Sequence, residues 1–202
     1  MMIDIQIHPR QFEYDVQSMV QAFYTGLPFQ INSDIESAYR ILEVEFAGES
    51  ICAGLYDGNK ELFKEQITCE FLKDKDITEI SGSDRRDAKN ALKKLLYCLL
   101  EKDTGRQLPW GNLTGIRPAK IPGMLMEQGM SEQDVRKEMK ETYFISDDKL
   151  DLAMDVSKME KKVLSNVNYK EGYSLYVGIP FCPTTCLYCS FTSYPLKIYK
   201  DK

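Results

Sequence analysis

The chain has 202 residues, 43% of them apolar, and 26 basic against 31 acidic residues leave a net charge of −5. A packed core is within reach of such a composition, so wholesale disorder is excluded, and the acidic balance argues against nucleic-acid binding, which rests on phosphate neutralisation by Lys and Arg. Residues 1–10 show no basic start followed by an apolar run, and no stretch approaches the roughly 18 consecutive apolar residues of a membrane helix. The expectation is a cytoplasmic protein with no membrane span, whose six cysteines are thiols.

Ile3, Ile5 and Ile7 alternate with polar residues, which predicts a half-buried strand. Phe12, Val16, Met19, Val20 and Phe23 recur at helical spacing, and Gly26 and Pro28 close that helix. Residues 38–46 predict a strand with Leu42, Val44 and Phe46 on one face, and a turn at 48–50 leads to a second strand at 51–56. Asp57-Gly58-Asn59-Lys60 is a hairpin signal, because Gly and Asn tolerate positive φ, and a third strand follows at 62–69. Ser83 or Asp84 can cap a helix whose buried face is Ala88, Ala91, Leu92, Leu95, Leu96 and Leu99, with Gly105 just past its end. Strand–helix–three strands–helix predicts an α+β N-terminal domain over residues 1–105, with two helices on one face of a mainly antiparallel sheet.

Residues 108–121 are rich in Gly and Pro, include the only tryptophan, Trp110, and read as a linker or specialised loop. They open a helical connector expected over residues 106–168. Ser131 with Asp134 resembles a capping box, and Ser146 can cap a further helix with an apolar stripe of Leu152, Val156, Met159 and Val163. Residues 174–179 are mostly apolar, end at Pro180, and predict a buried strand.

Cys182, Cys186 and Cys189 follow, spaced Cys-x3-Cys-x2-Cys. Soft thiolates on one loop select an iron–sulfur cluster, zinc or Cu(I). A cubane cluster needs a ligand at each of its irons, so three cysteines leave one iron open, and S-adenosylmethionine (SAM) fits that position through its amino and carboxylate groups. Zinc normally takes four ligands. The one histidine, His8, is remote in sequence, and Cys52, Cys69 and Cys98 lie on predicted strands or helices, where a free Cys serves as a small core residue.

Residues 176–191, Tyr-Val-Gly-Ile-Pro-Phe-Cys-Pro-Thr-Thr-Cys-Leu-Tyr-Cys-Ser-Phe, resemble the cluster segment of the oxygen-independent coproporphyrinogen III oxidase family of radical SAM proteins. The resemblance implies a 4Fe-4S cluster on Cys182, Cys186 and Cys189, SAM as cofactor, Tyr188 beside the SAM adenine, and a porphyrinogen substrate and an electron donor as partners. Simple packing is the other reading of Tyr188. Residues 109–120, Pro-Trp-Gly-Asn-Leu-Thr-Gly-Ile-Arg-Pro-Ala-Lys, are similar to a segment of the coproporphyrinogen dehydrogenase (HemZ-type) branch, in which an N-terminal domain also precedes the radical SAM barrel. Two departures are visible. Members with oxidase activity usually have His where this chain has Gly178, and a further Cys where it has Phe191; Phe191 is closer to related haem-chaperone proteins.

The implied reaction is oxidative decarboxylation of coproporphyrinogen III propionates to vinyl groups, giving protoporphyrinogen IX. The alternatives are a haem- or porphyrin-binding radical SAM protein without oxidase activity, and a zinc-bound structural module. No residue of this chain is singled out as a catalytic acid or base. Arg117 and Lys120 are able to hold carboxylates, or simply mark a turn into a helix. Trp110 can pin the linker by apolar burial. Arg85, Lys89 and Lys93 share one helix face and read as solvated. Only 13 residues follow Cys189, whereas a (β/α) barrel needs about 200 residues or more. Residues 169–202 are therefore expected to hold only the first strand and cluster loop of a truncated radical SAM (β/α) barrel, poorly anchored and inactive alone.

Overall fold

The computed structural model describes residues 1–33, 38–115, 117–168 and 171–199. The chain divides into two compact units, Met1–Lys161 and Lys162–Lys202. Of the regions singled out from sequence, Ile116 in the 109–120 motif and residues 169–170 and 200–202 lie outside the described residues.

The first unit is α+β. Strands β1 (Ile3–His8), β2 (Phe29–Ile31), β3 (Arg40–Ala47), β4 (Ser50–Asp57) and β5 (Lys60–Thr68) form one sheet in the order β2-β1-β3-β4-β5. Helix α1 (Glu13–Phe23) connects β1 to β2. Both neighbours of β1 are parallel to it, while β3, β4 and β5 form an antiparallel meander. The sheet is thus mixed, which corrects the mainly antiparallel expectation. The cause is β1, which runs parallel to β3 and to β2, a strand not expected from the sequence. A parallel pair needs a crossover, and α1 supplies it. Three residues between Pro28 and Asn32 are too few to show a period. Asn32, at φ 48°, extends the pairing with its side chain: Oδ1 accepts from the Ile7 N–H at 2.8 Å and Nδ2 donates to the Ile7 carbonyl at 3.2 Å.

Register shows why one face is apolar. Ile5, Leu42, Leu55 and Phe63 are cross-strand partners in succession, as are Phe46, Ile51 and Ile67. These rows meet α1 and α2 (Gly82–Thr104) in one core that includes Val16, Met19, Phe23, Leu92, Leu96 and Leu99. The next row over, Glu45–Cys52–Gln66, falls on the opposite face, as the two-residue period requires. Gly58 at φ 57° makes the β4–β5 hairpin, and Gly105 at φ 63° ends α2 with its N–H on the Glu101 carbonyl at 2.8 Å. Helix α2 begins one residue after Ser81, earlier than the expected caps Ser83 and Asp84; both lie inside its first turn, where Asp84 complements the helix dipole.

Three further helices follow in the first unit: α3 (Lys120–Glu127), α4 (Glu132–Tyr143) and α5 (Asp147–Leu164). Val135, Met139, Ile145, Leu150 and Met154 form a second, smaller core with Trp110, Leu113 and Ile121 against it. Ser131 caps α4 by accepting from the Asp134 N–H at 3.2 Å, as its sequence signature predicted. The stripe expected to bury α5 does not do so. Leu150, Ala153, Met154 and Ser157 are buried, whereas Leu152, Val156, Met159 and Val163 are exposed. Both stripes fit the 3.6-residue period, and only the position of α4 and the loop decides which is covered.

A buried polar network ties helix ends to the sheet. The Tyr24 hydroxyl donates to Asp103 at 2.7 Å, and the Arg40 Nε donates to both carboxylate oxygens at 3.1 and 3.2 Å. Burial would lower the Arg40 pKa, but the Asp103 hydrogen bond and charge raise it. For Tyr24, burial and then Asp103 both push the pKa up. Because the shift is upward, Tyr24 contributes stability in full below the ordinary tyrosine pKa of about 10, and that contribution is lost as pH rises above it. Asp103→Ala removes the buried carboxylate that Arg40 and Tyr24 share, leaving Arg40 only the more distant Asp57 at 3.7 Å as an ion-pair partner among the described residues, and should cost about 3 kcal/mol in urea unfolding. Tyr24→Phe should be less stable at neutral pH yet lose less stability than the parent between about pH 10 and 11.5; parallel curves for both proteins would show that Tyr24 does not titrate as described.

Candidate functional site

Two regions carry the residues singled out from sequence. The first is the cysteine loop in the second unit. Strands β6 (Phe181–Cys182) and β7 (Tyr194–Pro195) pair in parallel, with Phe181 opposite Tyr194 and Cys182 opposite Pro195. The Tyr194 N–H donates to the Pro180 carbonyl at 2.7 Å, and the Phe181 and Tyr194 rings lie 5.9 Å apart. This clip closes the base of a loop that carries Cys186 and Cys189. Within the loop the Cys189 N–H donates to the Cys186 carbonyl at 3.0 Å, making the Cys-x2-Cys segment a turn.

Cys186 is exposed, and Cys182 and Cys189 are partly so. Tyr188, the residue implied for SAM adenine, is also exposed. The Ser193 hydroxyl, beside the clip, is buried without a hydrogen-bond partner among the described residues. Among the described residues no three His, Cys, Asp or Glu side chains form a group that could hold a metal ion, so the three thiols share one loop without converging on one point. Their chemistry nonetheless fits an iron–sulfur cluster, being three soft donors on one closed loop. The predicted buried strand at 174–179 is not formed: among the described residues these make no strand pairing, and Leu175, Val177 and Ile179 are exposed. An apolar strand of this kind is stable only between neighbours, and pairing in this unit starts later, at Phe181.

The remaining cysteines lie elsewhere. Cys52 is on β4, Cys98 is on α2, and Cys69 is buried just past β5. Burial pushes the Cys69 and Cys98 thiols up, and Glu101 and Glu65 add to the rise at Cys98.

The second region is the 109–120 motif, which has two halves with different work. Gly111, at φ 57°, sits so close to α4 that a Cβ there would lie 1.8 Å from the Tyr143 carbonyl oxygen. The Asn112 N–H donates to that same carbonyl at 3.0 Å, and its side-chain amide donates to the Thr142 carbonyl at 3.0 Å. These are last-turn carbonyls of α4, which no longer have partners inside the helix. The Ser146 N–H and hydroxyl both donate to the Pro109 carbonyl at 3.0 Å. Pro109–Asn112 is thus a clamp on the α4–α5 corner, a role that the sequence reading did not assign. Glycine at 111 was its one signal.

Lys93 belongs to the same join. It donates to the Thr114 hydroxyl at 2.6 Å and lies 3.7 Å from Asp15. Burial lowers its pKa, with Asp15 opposing. The expectation of a solvated face therefore fails for Lys93, because α1 and the motif cover it.

The motif's other half faces solvent. Arg117 and Lys120 are exposed, and Arg117 pairs with Glu160 at 3.6 Å. Arg117 has φ 63° and precedes a proline, a strained setting for a residue with a Cβ.

With this geometry in hand, comparison with known proteins is informative. The oxygen-independent coproporphyrinogen-III oxidase-like protein HemZ of Bacillus subtilis (strain 168) is 36% identical to the chain over 135 residues, which is 66% of this chain. Over that stretch the chain resembles a HemZ-type protein. It spans about a quarter of that relative, the match covering 26% of its length. No family model matches the chain, and no solved structure matches it. Among the described residues, no helix is long and apolar enough to cross a membrane.

Two outcomes follow from the geometry. Gly111→Ala should destabilise the first unit by about 3 kcal/mol or more, since overlap adds to a disfavoured φ. Asn112→Ala leaves a buried carbonyl unpaired and should cost about 1–3 kcal/mol. A Gly111→Ala protein as stable as the parent would remove the clamp from this account. Second, a thiol reagent applied to the folded chain should label Cys182, Cys186 and Cys189 well before Cys69 and Cys98. Mass spectrometry of the labelled peptides gives the order.

Proposed function

We propose that the chain is the cluster-bearing part of a radical SAM oxidoreductase acting on coproporphyrinogen III. The observation that carries this reading is the Cys-x3-Cys-x2-Cys series on one loop closed at its base, in a chain homologous to a coproporphyrinogen-III oxidase-like protein. Cys182, Cys186 and Cys189 would hold a 4Fe-4S cluster, with one iron left for the amino and carboxylate groups of SAM. When bound, the cluster supplies an electron for reductive cleavage of SAM. Tyr188 would lie along the adenine. The β6–β7 clip sets the reach of the loop and so confines the three thiols to one neighbourhood. Residues 169–202 would begin the barrel domain that follows the α+β domain and the helical connector. The reaction would convert propionate side chains to vinyl groups with loss of CO2, drawing on an external electron donor.

Gly178 and Phe191 favour a second reading, a porphyrin- or haem-binding protein that keeps the cluster and SAM without oxidising the substrate. Product analysis with coproporphyrinogen III, SAM and a reductant separates the two: protoporphyrinogen supports the oxidase, and unchanged but bound porphyrin supports the carrier.

Cluster binding is tested on the chain itself. After anaerobic reconstitution it should hold about four iron and four acid-labile sulfide, and SAM should alter the reduced cluster's EPR signal. Ser at any one of Cys182, Cys186 or Cys189 should abolish this, while Ser at Cys52, Cys69 and Cys98 together should not. Tightly held zinc in place of iron, or equal iron in all variants, would overturn the assignment.

A further inference from the structure

The outward half of the motif and the uncovered face of α5 enclose a cavity of about 220 Å³ in the first unit. Trp110, Leu152 and Val156 form its apolar wall, and Arg117, Lys120 and Glu160 stand at its edge. Three features of this cavity are unexplained by folding. Leu152 and Val156 are exposed apolar residues on a helix that buries a different stripe. Arg117 keeps a left-handed φ of 63° ahead of a proline, a conformation that persists only where its surroundings impose it. And its partner Glu160 stands at 3.6 Å, beyond hydrogen-bond distance, with both side chains largely in water. An exposed pair of this kind contributes little to stability, so the guanidinium can exchange partners.

From these observations we propose that the cavity is a binding site for a small carboxylate with a flat apolar body, an arylalkyl carboxylate. The carboxylate displaces Glu160 and accepts two parallel N–H bonds from Arg117, with Lys120 adding charge. The apolar body lies against Trp110, Leu152 and Val156 and removes their surface from water. A volume of about 220 Å³ limits the body to a single ring. Pocket and charge occur together, as in small-molecule sites where an apolar lining is combined with a few placed polar groups. The site lies in the first unit, and its test requires neither cluster nor SAM.

Trp110 is the only tryptophan, so its fluorescence reports the cavity directly. The chain is titrated with 3-phenylpropionate and with two matched probes, 3-phenylpropan-1-ol and 3-phenylpropylamine. The acid should give a saturable change and bind at least about 10-fold tighter than the alcohol, reflecting charge-assisted bidentate bonding, with the amine weaker still. Arg117→Gln should erase the preference for the acid. Glu160→Gln should tighten acid binding several-fold by freeing the guanidinium, a gain that a damaged fold does not produce. Equal binding of acid and alcohol, no saturable change with any probe, or weaker acid binding by Glu160→Gln overturns the proposal.

Discussion

The carbonyl of Tyr143 leaves no room for a side chain at residue 111, and the join between two hydrophobic cores depends on that close approach. Tyr143 packs against the smaller core, whereas its neighbour Phe144 packs against the larger one and stacks on Tyr97 with ring centroids 4.9 Å apart. One corner of backbone therefore belongs to both cores. Phe144 reaches the larger core from a left-handed conformation, φ 55°, that ends α4. Such an end leaves carbonyls without helical partners, and Asn112 satisfies two of them. Gly111 makes the approach possible, and Asn112 makes it favourable. Loss of either residue would loosen the corner that both cores share.

The cysteine loop obeys a different constraint. It is held by a two-residue strand pair and one turn, far less than the layered packing behind the first unit. Little in its surroundings would fix three side chains at metal-ligand distances. Under the proposed function, convergence of the thiols would come largely from the cluster itself, as in other small sites where metal affinity and local folding are one process. The three thiols are present in the sequence, and among the described residues nothing else draws them together.

Much of the first unit was legible in the sequence, for physical reasons. Periods of two and of about 3.6 located β1, β3, β4, β5, α1 and α2, because each has one buried face. Gly58 and Gly105 marked ends that need positive φ. The failures share a cause. β2 is too short to have a period, and its existence follows from pairing with β1. Lys93 looks solvated on a helical wheel and is covered by elements distant in sequence. Helix α5 carries two apolar stripes, and periodicity cannot rank them. The strand expected at 174–179 has the right composition for burial but no pairing partners among the described residues. Local pattern predicts what a segment is able to bury, and tertiary neighbours decide what it does bury.

The same distinction separates the two halves of the 109–120 motif. Its first half is explained by contacts: Pro109, Gly111 and Asn112 each meet a specific backbone group, and any other residue at 111 would collide. Its second half turns the chain into α3, with the Lys120 N–H on the Arg117 carbonyl at 3.1 Å, but gives no such role to the Arg117 side chain. Arg117 occupies a strained backbone position, yet among the described residues its side chain makes only a long, exposed ion pair. The turn itself does not require arginine, because a glycine would adopt the same φ at lower cost. What glycine would lack is the guanidinium. The clamp holds Trp110 at the foot of α5, and the strained turn brings a cation to the edge of the same cavity. The structural half of the motif thus positions the half that faces solvent, which is the arrangement expected where rigid contacts support a recognition surface.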